Sequence, residues 1–235
     1  MLLEVKNLDA GYGYLQILRS VSLGIKKGEY VCIVGPNGSG KSTTMKTIAG
    51  LISPMGGSIF FNGEDITGLP ASQITRKGIS FVSEDLNLFV NMSVQENLYM
   101  GAYIIKDKKR INERLDLVFD LFPRLAERKK QLAGTMSGGE RKMLAIGRGM
   151  MPDPKLILVD EPSFGLAPQL TENVFESLDI LKDKGITILL VEQNVTKTLA
   201  VTDRGYILEN GKINLQGRSN ELADDPHVRK VFLGV

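Results

Sequence analysis

The chain has 235 residues, of which 43% are hydrophobic and 24% are charged, and its formal net charge is +2. This length and composition fit one large globular domain or a core with an inserted subdomain, and the small charge gives no argument for a nucleic-acid partner. The N-terminus lacks a basic segment followed by a long apolar one, and every apolar run is shorter than a bilayer requires. We therefore expect neither a signal peptide nor a membrane span.

Short strands are predicted in the first third of the chain. The N-terminal residues and residues 19–25 alternate apolar and polar side chains, and Asn62-Gly63 is typical of a tight hairpin turn. Between them, "YVCIVG" (30–35) is an unbroken apolar run, as in buried parallel strands. It contains Cys32, the single cysteine, which we expect to be a buried small residue in a reducing compartment.

Residues 35–43, "GPNGSGKST", match the pattern GxxxxGK[S/T], follow this predicted strand and open a helix. In such a loop successive backbone N–H groups point at phosphate oxygens, and the helix N-terminus adds positive electrostatic potential. Lys41 is predicted to reach the outer phosphates, and the Ser42 hydroxyl to contact Mg²⁺. The predicted nucleotide-binding residues of this loop are Gly35, Pro36, Asn37, Gly38, Ser39, Gly40, Lys41, Ser42 and Thr43.

Residues 86–155 change from strand to helix periodicity. Ser93 and Glu96 form a capping-box pattern, and apolar residues then recur at helical spacing until a proline ends the second helix. We therefore predict a helical subdomain at 86–155, inserted between the two parts of a core formed by 1–85 and 156–235.

After this segment, strand and helix patterns alternate. "KLILVDEP" (155–162) and "ITILLVE" (186–192) predict buried strands with a helix between them, which favours an α/β fold with a parallel sheet. Asp160 follows four apolar residues and is expected at the carboxyl edge of the sheet, where it can hold Mg²⁺ directly or through water. Glu161, where the chain turns, is expected to face the attacking water as the catalytic base.

The segment "TMSGGERKM" (135–143) carries a glycine pair at a helix start, where glycine costs stability. A capping box accounts for Ser137 and Glu140, but not for Gly138 and Gly139. Two glycines leave bare N–H groups that can receive a phosphate, as in the first loop. One nucleotide could use both helix starts if they faced each other. Alternatively, a head-to-tail dimer could pair the start of each copy with the loop of the other.

These motifs resemble the ATP-binding subunit of an ABC transporter over essentially the whole chain, with "MSGGE" (136–140) in place of the family's LSGGQ-type signature. The resemblance implies a single ABC ATPase domain, 1–235, and Mg²⁺-dependent ATP hydrolysis. It also implies a P-loop NTPase (RecA-like) core with a parallel sheet, an N-terminal antiparallel β subdomain and an inserted α-helical subdomain.

The family signature completes the ATP site of a partner subunit. The resemblance therefore implies that Ser137 and Gly139, with Gly138 between them, meet the γ-phosphate across an interface. Within the chain's own nucleotide site, the expected catalytic residues include Lys41 of the first loop and Glu161 at the end of the later strand.

Further site residues follow from the resemblance, some of them departures from the family pattern. Tyr12 is the implied adenine-stacking residue, with Tyr14 as the alternative. Glu84 stands where a glutamine normally senses Mg²⁺ and the γ-phosphate, and it would repel phosphate unless it ligates Mg²⁺ or binds through water. Gln193 replaces a catalytic histidine that touches the γ-phosphate, and its amide can donate a hydrogen bond but cannot become cationic. The only histidine, His227, is expected at the surface.

The segments 121–168, 189–194 and 203–211 closely resemble one of the two ATPase subunits of branched-chain amino acid importers. This implies a homologous but non-identical ATPase partner in a head-to-tail dimer, two integral-membrane permease subunits and, indirectly, a solute-binding protein. It also implies a position on the cytoplasmic face of the cell membrane.

Residues 86–103 are the expected docking surface for a permease, although their apolar side chains could instead fill the core of the helical subdomain. The alternative function is a soluble ABC-type ATPase that is not coupled to transport. A P-loop kinase or switch GTPase is disfavoured by the signature and by the lack of a guanine-reading motif.

Overall fold

The computed structural model describes residues 1–233 of the chain. The strands in this range are β1 (Leu3–Tyr12), β2 (Leu15–Ile25), β3 (Tyr30–Val34), β4 (Gly56–Phe61), β5 (Glu64–Asp65), β6 (Ile79–Val82), β7 (Leu156–Asp160), β8 (Thr187–Glu192), β9 (Arg204–Glu209) and β10 (Lys212–Arg218). The α-helices are α1 (Lys41–Ile48), α2 (Ala71–Lys77), α3 (Val94–Gly101), α4 (Lys108–Leu121), α5 (Pro123–Glu127), α6 (Gly138–Met150), α7 (Pro168–Asp183), α8 (Val195–Val201), α9 (Ser219–Asp224) and α10 (Pro226–Val228). A 3-10 turn spans Ala133–Thr135, and a π-helical turn spans Arg229–Leu233.

Two sheets form the framework of the molecule. The larger has the strand order β10-β9-β3-β8-β7-β6, parallel from β9 to β6, with β10 antiparallel at its edge. The smaller is antiparallel, with the order β2-β1-β4-β5. Helices α3 to α6 are inserted between β6 and β7, which are neighbours in the larger sheet. The predicted α/β class, with a parallel core sheet, an antiparallel N-terminal sheet and inserted helices, is confirmed.

The parallel sheet is covered on both faces, as its unbroken apolar strands predict. From β3, Val31 and Ile33 join a cluster that contains the inner residues of the antiparallel sheet and of α1. Cys32 and Val34 point to the opposite face, into a cluster shared with the inserted helices and with α7. Cys32 is completely buried, as expected, and burial raises the pKa of its thiol to about 12.

The inserted helices share their core with the sheet. Leu98 of α3, Leu125 of α5 and Leu144 of α6 lie in the same buried cluster as the strand residues. Packing thus places the start of α6 at a defined position relative to the strand ends. The subdomain boundaries at 86–155 stay a prediction.

Turn residues act largely where the sequence places them. Asn62 and Gly63 both have positive φ, 53° and 82°, and connect β4 to β5, as a primed hairpin turn requires. Pro123 ends α4 as predicted, but it also occupies the first position of α5, where a missing N–H costs nothing. The short helices α2 and α8 were not predicted, because seven residues each give too little periodicity.

Candidate functional site

A cleft of about 450 Å³ opens where strands of the parallel sheet end and α1 begins. It brings together residues that the sequence predicts separately, from five parts of the chain. The side chains and backbone that line it belong to Tyr12, Ile17, Asn37, Gly38, Gly40, Lys41, Ser42, Thr43, Glu84, Glu161, Phe164 and Gln193.

The loop between β3 and α1 forms one wall of the cleft. Gly40 lies in a left-handed conformation with φ of 108° and turns the chain directly into α1, which a side chain would resist. Gly35, Pro36 and Ser39 form the base of the loop, where the Lys41 ammonium donates hydrogen bonds to the carbonyl oxygens of Gly35 (2.9 Å) and Pro36 (3.2 Å). A cation and a helix N-terminus thus meet at one end of the cleft, which suits a phosphate group.

Two oxygen ligands suitable for a divalent cation are adjacent: the Ser42 hydroxyl at the cleft wall and the buried Asp160 carboxylate beside it. The Ser42 hydroxyl donates a 3.1 Å hydrogen bond to Oδ1 of Asp160, the last residue of β7. Burial raises the pKa of Asp160 to about 6, and the nearby Glu161 carboxylate contributes to the rise while the Ser42 bond opposes it. A cation here would favour the ionised carboxylate.

This donor set fits Mg²⁺, which usually takes one or two protein oxygens and completes its shell with phosphates and water. Among the described residues 1–233, no group of three or more His, Cys, Asp or Glu side chains is arranged to hold a metal on its own. The two predicted metal ligands Ser42 and Asp160 therefore lie together. Glu84, the third, lines the same cleft.

Glu161 has an unusual backbone conformation for a non-glycine residue, with φ of 45°. Its N–H donates to the carbonyl of Val191 on β8 (2.9 Å), which holds the chain at the end of the neighbouring strand. Its carboxylate lies 3.7 Å from the Lys41 ammonium and accepts a 2.6 Å hydrogen bond from Nε2 of Gln193. Glu161 therefore contacts both of the other predicted catalytic residues, and it is almost fully buried.

A buried carboxylate that the sequence analysis missed supports this arrangement. Glu192, at the end of β8, accepts hydrogen bonds from the backbone N–H groups of Ser163 (2.8 Å) and Gln193 (3.1 Å). It ties the turn after Glu161 to the start of the next loop. In the sequence, Glu192 resembles any charged residue at a strand end, so nothing there identified it.

Ile17 and Phe164 were also missed as cleft residues. Phe164 is more than half exposed, and an exposed aromatic residue within a predicted active-site turn is the one signal that could have identified it.

Of the two candidate stacking residues, Tyr12 lines the cleft and Tyr14 does not. Tyr12 is half exposed at the end of β1, whereas Tyr14 projects fully into solvent in the turn before β2. His227, on α10, is exposed, lies 3.0 Å from Glu209 and is not among the residues that line the cleft.

The second predicted phosphate-receiving helix start lies outside this cleft. Ser137 caps α6 with a complete capping box, in which Glu140 N–H donates to the Ser137 hydroxyl and Ser137 N–H donates to the Glu140 carboxylate. Ser137 and Gly138 are exposed and Gly139 is buried. These three residues are not among those that line the cleft, so the chain does not place both helix starts around one cavity.

A larger groove, of about 620 Å³, lies between the inserted helices and the core. Phe89, Met100 and Tyr103 line it and are between 43% and 60% exposed. Arg148 of α6 borders the groove and donates to the carbonyl oxygens of Leu86 (2.6 Å) and Asn87 (2.7 Å). Leu86, which also lines the groove, and Leu88 pack against the buried cluster. The predicted docking segment thus divides its apolar residues between core and surface.

None of the helices within residues 1–233 combines the length and the apolar character needed to span a membrane.

The chain is similar to known proteins over its full length. The sequence model of the family described as "ABC transporter" matches residues 18–164. The high-affinity branched-chain amino acid transport ATP-binding protein BraG of Pseudomonas aeruginosa is 46% identical over 233 residues, which cover 99% of this chain and all of the relative. The probable branched-chain amino acid transport ATP-binding protein LivF of Archaeoglobus fulgidus is 40% identical, covering 100% of this chain and 99% of the relative.

A solved structure agrees over the same extent. The crystal structure of the ADP conformation of MJ1267, an ATP-binding cassette of an ABC transporter, superposes with a TM-score of 0.87 at 30% identity. The match covers 100% of this chain and 99% of that one. With the family match, two full-length relatives and this superposition in agreement, the chain belongs to the ABC transporter family, as an ATP-binding subunit that hydrolyses ATP.

Proposed function

We propose that this chain powers the import of branched-chain amino acids, as one half of a head-to-tail ATPase pair that closes on ATP and reopens after hydrolysis. The contact of Glu161 with Lys41 and Gln193, beside the Ser42–Asp160 pair, is the observation that carries the hydrolytic mechanism. The solute class rests on the names of the two full-length relatives.

In the proposed mechanism the N–H groups of residues 35–43 and the Lys41 ammonium bind the β- and γ-phosphates. Ser42 and Asp160 hold Mg²⁺, directly or through water. Once bound, this ion supplies positive charge that stabilises the transferring phosphoryl group. Tyr12 stacks on the adenine from the open side of the cleft.

Glu161 orients and deprotonates the attacking water. Its position near Lys41 fits this role, because the γ-phosphate end of the nucleotide lies where the lysine reaches. Gln193 holds the carboxylate through its amide, a neutral donor that contributes less than a cationic histidine would. Glu84, which lines the same cleft, would ligate Mg²⁺ directly or through water.

The second helix start completes the site of the partner subunit. Ser137 and Gly138 are exposed and do not line the cleft of the chain's own loop, and the capping box does not use the N–H groups of Gly138 and Gly139. When this helix start pairs with the nucleotide loop of a homologous subunit, both can bind the same triphosphate, which then bridges the two chains. Of the two geometries that the sequence left open, this arrangement favours the head-to-tail dimer.

The groove at residues 86–103 is the proposed contact with a permease subunit at the cytoplasmic face of the membrane. Phe89, Met100 and Tyr103 present apolar area at its rim, more than an isolated surface loop carries. Two permease subunits would be bound by the two ATPases, and a solute-binding protein would act on the permeases from the other side.

The test uses the assembled complex, co-purified from detergent-solubilised membranes and reconstituted into vesicles with ATP and Mg²⁺. ATP-dependent uptake of radiolabelled leucine, and not of an unrelated solute, is the expected result. Glu161→Gln should bind ATP normally, while hydrolysis falls at least a hundredfold, within the roughly 10²–10⁴ range of a general base. Uptake should stop with it. Near-normal turnover in Glu161→Gln would remove this residue from the catalytic role.

A chain that does not co-purify with membrane proteins, yet hydrolyses ATP with the same dependence on Glu161, would instead support the alternative of a soluble ABC-type ATPase.

A further inference from the structure

Lys142 is a buried lysine that the mechanism above does not use. It lies on α6, is only 6% exposed and donates a 3.1 Å hydrogen bond from Nζ to the backbone carbonyl of Glu161. The four carboxylates that interact with its ammonium belong to Glu84, Glu192, Glu161 and Asp160. Helix α6 thus places a positive charge beside the backbone of the turn at Glu161, here called the catalytic turn.

Burial of an ammonium group is unfavourable unless the charge is matched and hydrogen-bonded. Burial lowers the pKa of Lys142, and the surrounding carboxylates, with Glu84 first, oppose that shift. An apolar side chain at this position would give equal or better stability if packing were the only requirement. A role beyond packing therefore accounts better for the lysine.

The carbonyl that Lys142 contacts belongs to Glu161, the non-glycine cleft residue with positive φ. Glu161 has φ of 45°, and its N–H is held by Val191 on β8. Lys142 fixes the other side of the same residue, through its carbonyl oxygen. With both backbone groups anchored, the carboxylate is directed toward Lys41 and Gln193.

We propose that Lys142 is a positioning residue that holds the catalytic turn at Glu161 and joins it to the helix start at Ser137. The two ends of this connection are five residues apart on α6, about 7.5 Å along the helix axis. Engagement of the helix start by the nucleotide of the partner subunit is thereby coupled to the placement of the chain's own catalytic carboxylate. This inference rests on the proposed role of Glu161.

The experiment compares Lys142→Met, which keeps the length of the side chain and removes its charge and donors, with Lys182→Met. Lys182 is the matched control, because it makes a partly exposed ion pair with Asp203 and neither residue lines the cleft. In the full-length chain with ATP and Mg²⁺, Lys142→Met should lower kcat roughly ten- to a hundredfold, the scale of a misplaced catalytic group. KM for ATP should stay within about twofold, since ground-state binding is preserved. Lys182→Met should match the wild type.

A double-mutant cycle separates positioning from general damage. Phosphate release from radiolabelled ATP is measured under single-turnover conditions in Glu161→Gln, with and without Lys142→Met. Because Lys142 acts through Glu161, its removal should change the residual rate less than about twofold in this background. Lys142→Arg, which keeps a cationic donor, should retain more turnover than Lys142→Met. If Lys142→Met does not fold, Lys142→Gln takes its place in the cycle.

An unchanged kcat in Lys142→Met, or an equal loss with and without Glu161→Gln, would overturn the inference. The proposed function would be refuted by a different result, namely normal ATP turnover in Glu161→Gln. The two failures are thus distinguishable.

Discussion

Glu161 occupies a backbone conformation that few side chains adopt, and the chemistry of the cleft depends on it. The sequence placed Asp160 and Glu161 at a strand end, because four apolar residues precede them. It could not predict the left-handed φ, which arises from hydrogen bonds to β8 and α6, elements remote in the sequence. Lys142 escaped prediction for the same reason, because a lysine in the first turns of a helix usually faces solvent.

Tyr12 is the residue whose role is simplest to test. Replacement of Tyr12 by Ala removes the aromatic face at the rim of the cleft. Base stacking is worth about 1–3 kcal/mol, so the Kd for ATP should rise roughly five- to a hundredfold. Titration with a fluorescent ATP analogue measures the change.

Tyr14→Ala serves as the control, since Tyr14 is fully exposed and does not line the cleft. Equal losses in the two variants would contradict the assignment of the adenine to Tyr12. A loss confined to Tyr14→Ala would transfer that role to Tyr14.

At the scale of elements, two helices begin with the same device. Ser93 with Glu96 starts α3, and Ser137 with Glu140 starts α6, each with both reciprocal hydrogen bonds formed. The sequence predicted both, because a capping box is a local signal. It did not predict α2 or α8, whose seven residues owe their helical state to packing against the sheets rather than to periodicity.

The matched capping boxes permit a comparison of stability with function. Ser93→Ala and Ser137→Ala should each lower the free energy of unfolding by about 1 kcal/mol, the usual cost of a lost cap. Only Ser137→Ala should also lower ATP hydrolysis, by roughly tenfold, because it removes a hydrogen-bond donor to the partner's phosphate. Urea denaturation and phosphate-release assays measure the two effects. Equal hydrolysis in both variants would remove Ser137 from the nucleotide site.

At the scale of the whole molecule, the two-sheet architecture followed from the order of strand and helix patterns, because hydrophobic runs record which strands are covered on both faces. The relation between the nucleotide loop and the second helix start could not be derived, since it depends on how separate elements pack. The sequence pattern gives even less information on how two chains pair. We propose the pairing because the nucleotide loop and the helix start at Ser137 do not face each other within one chain.

Gly138 offers a test of that pairing. A Cβ at this position would meet only a side-chain carbon of Leu166, at an ordinary 3.5 Å, so the chain's own fold does not require glycine there. Gly138→Ala should keep or raise stability, by up to about 1 kcal/mol.

In the Glu161→Gln background, it should abolish the ATP-dependent dimer, because a methyl group obstructs the incoming phosphate. Light scattering with ATP and Mg²⁺ measures the mass. An undiminished dimer would separate this helix start from the interface. Gly139→Ala is a less suitable variant, since its Cβ would lie 3.1 Å from Leu170.

The bonds from Arg148 to the carbonyl oxygens of Leu86 and Asn87 have a mechanical consequence. Arg148 lies near the end of α6 opposite Ser137, and a thirteen-residue helix is a stiff rod about 20 Å long. If a permease contacts residues 86–103 as proposed, displacing the 86–87 turn would have to break two short hydrogen bonds or move α6 with it. If α6 moves with the turn, a displacement at residues 86–87 would reach Ser137 at the helix start and Glu161, through Lys142, at the same time.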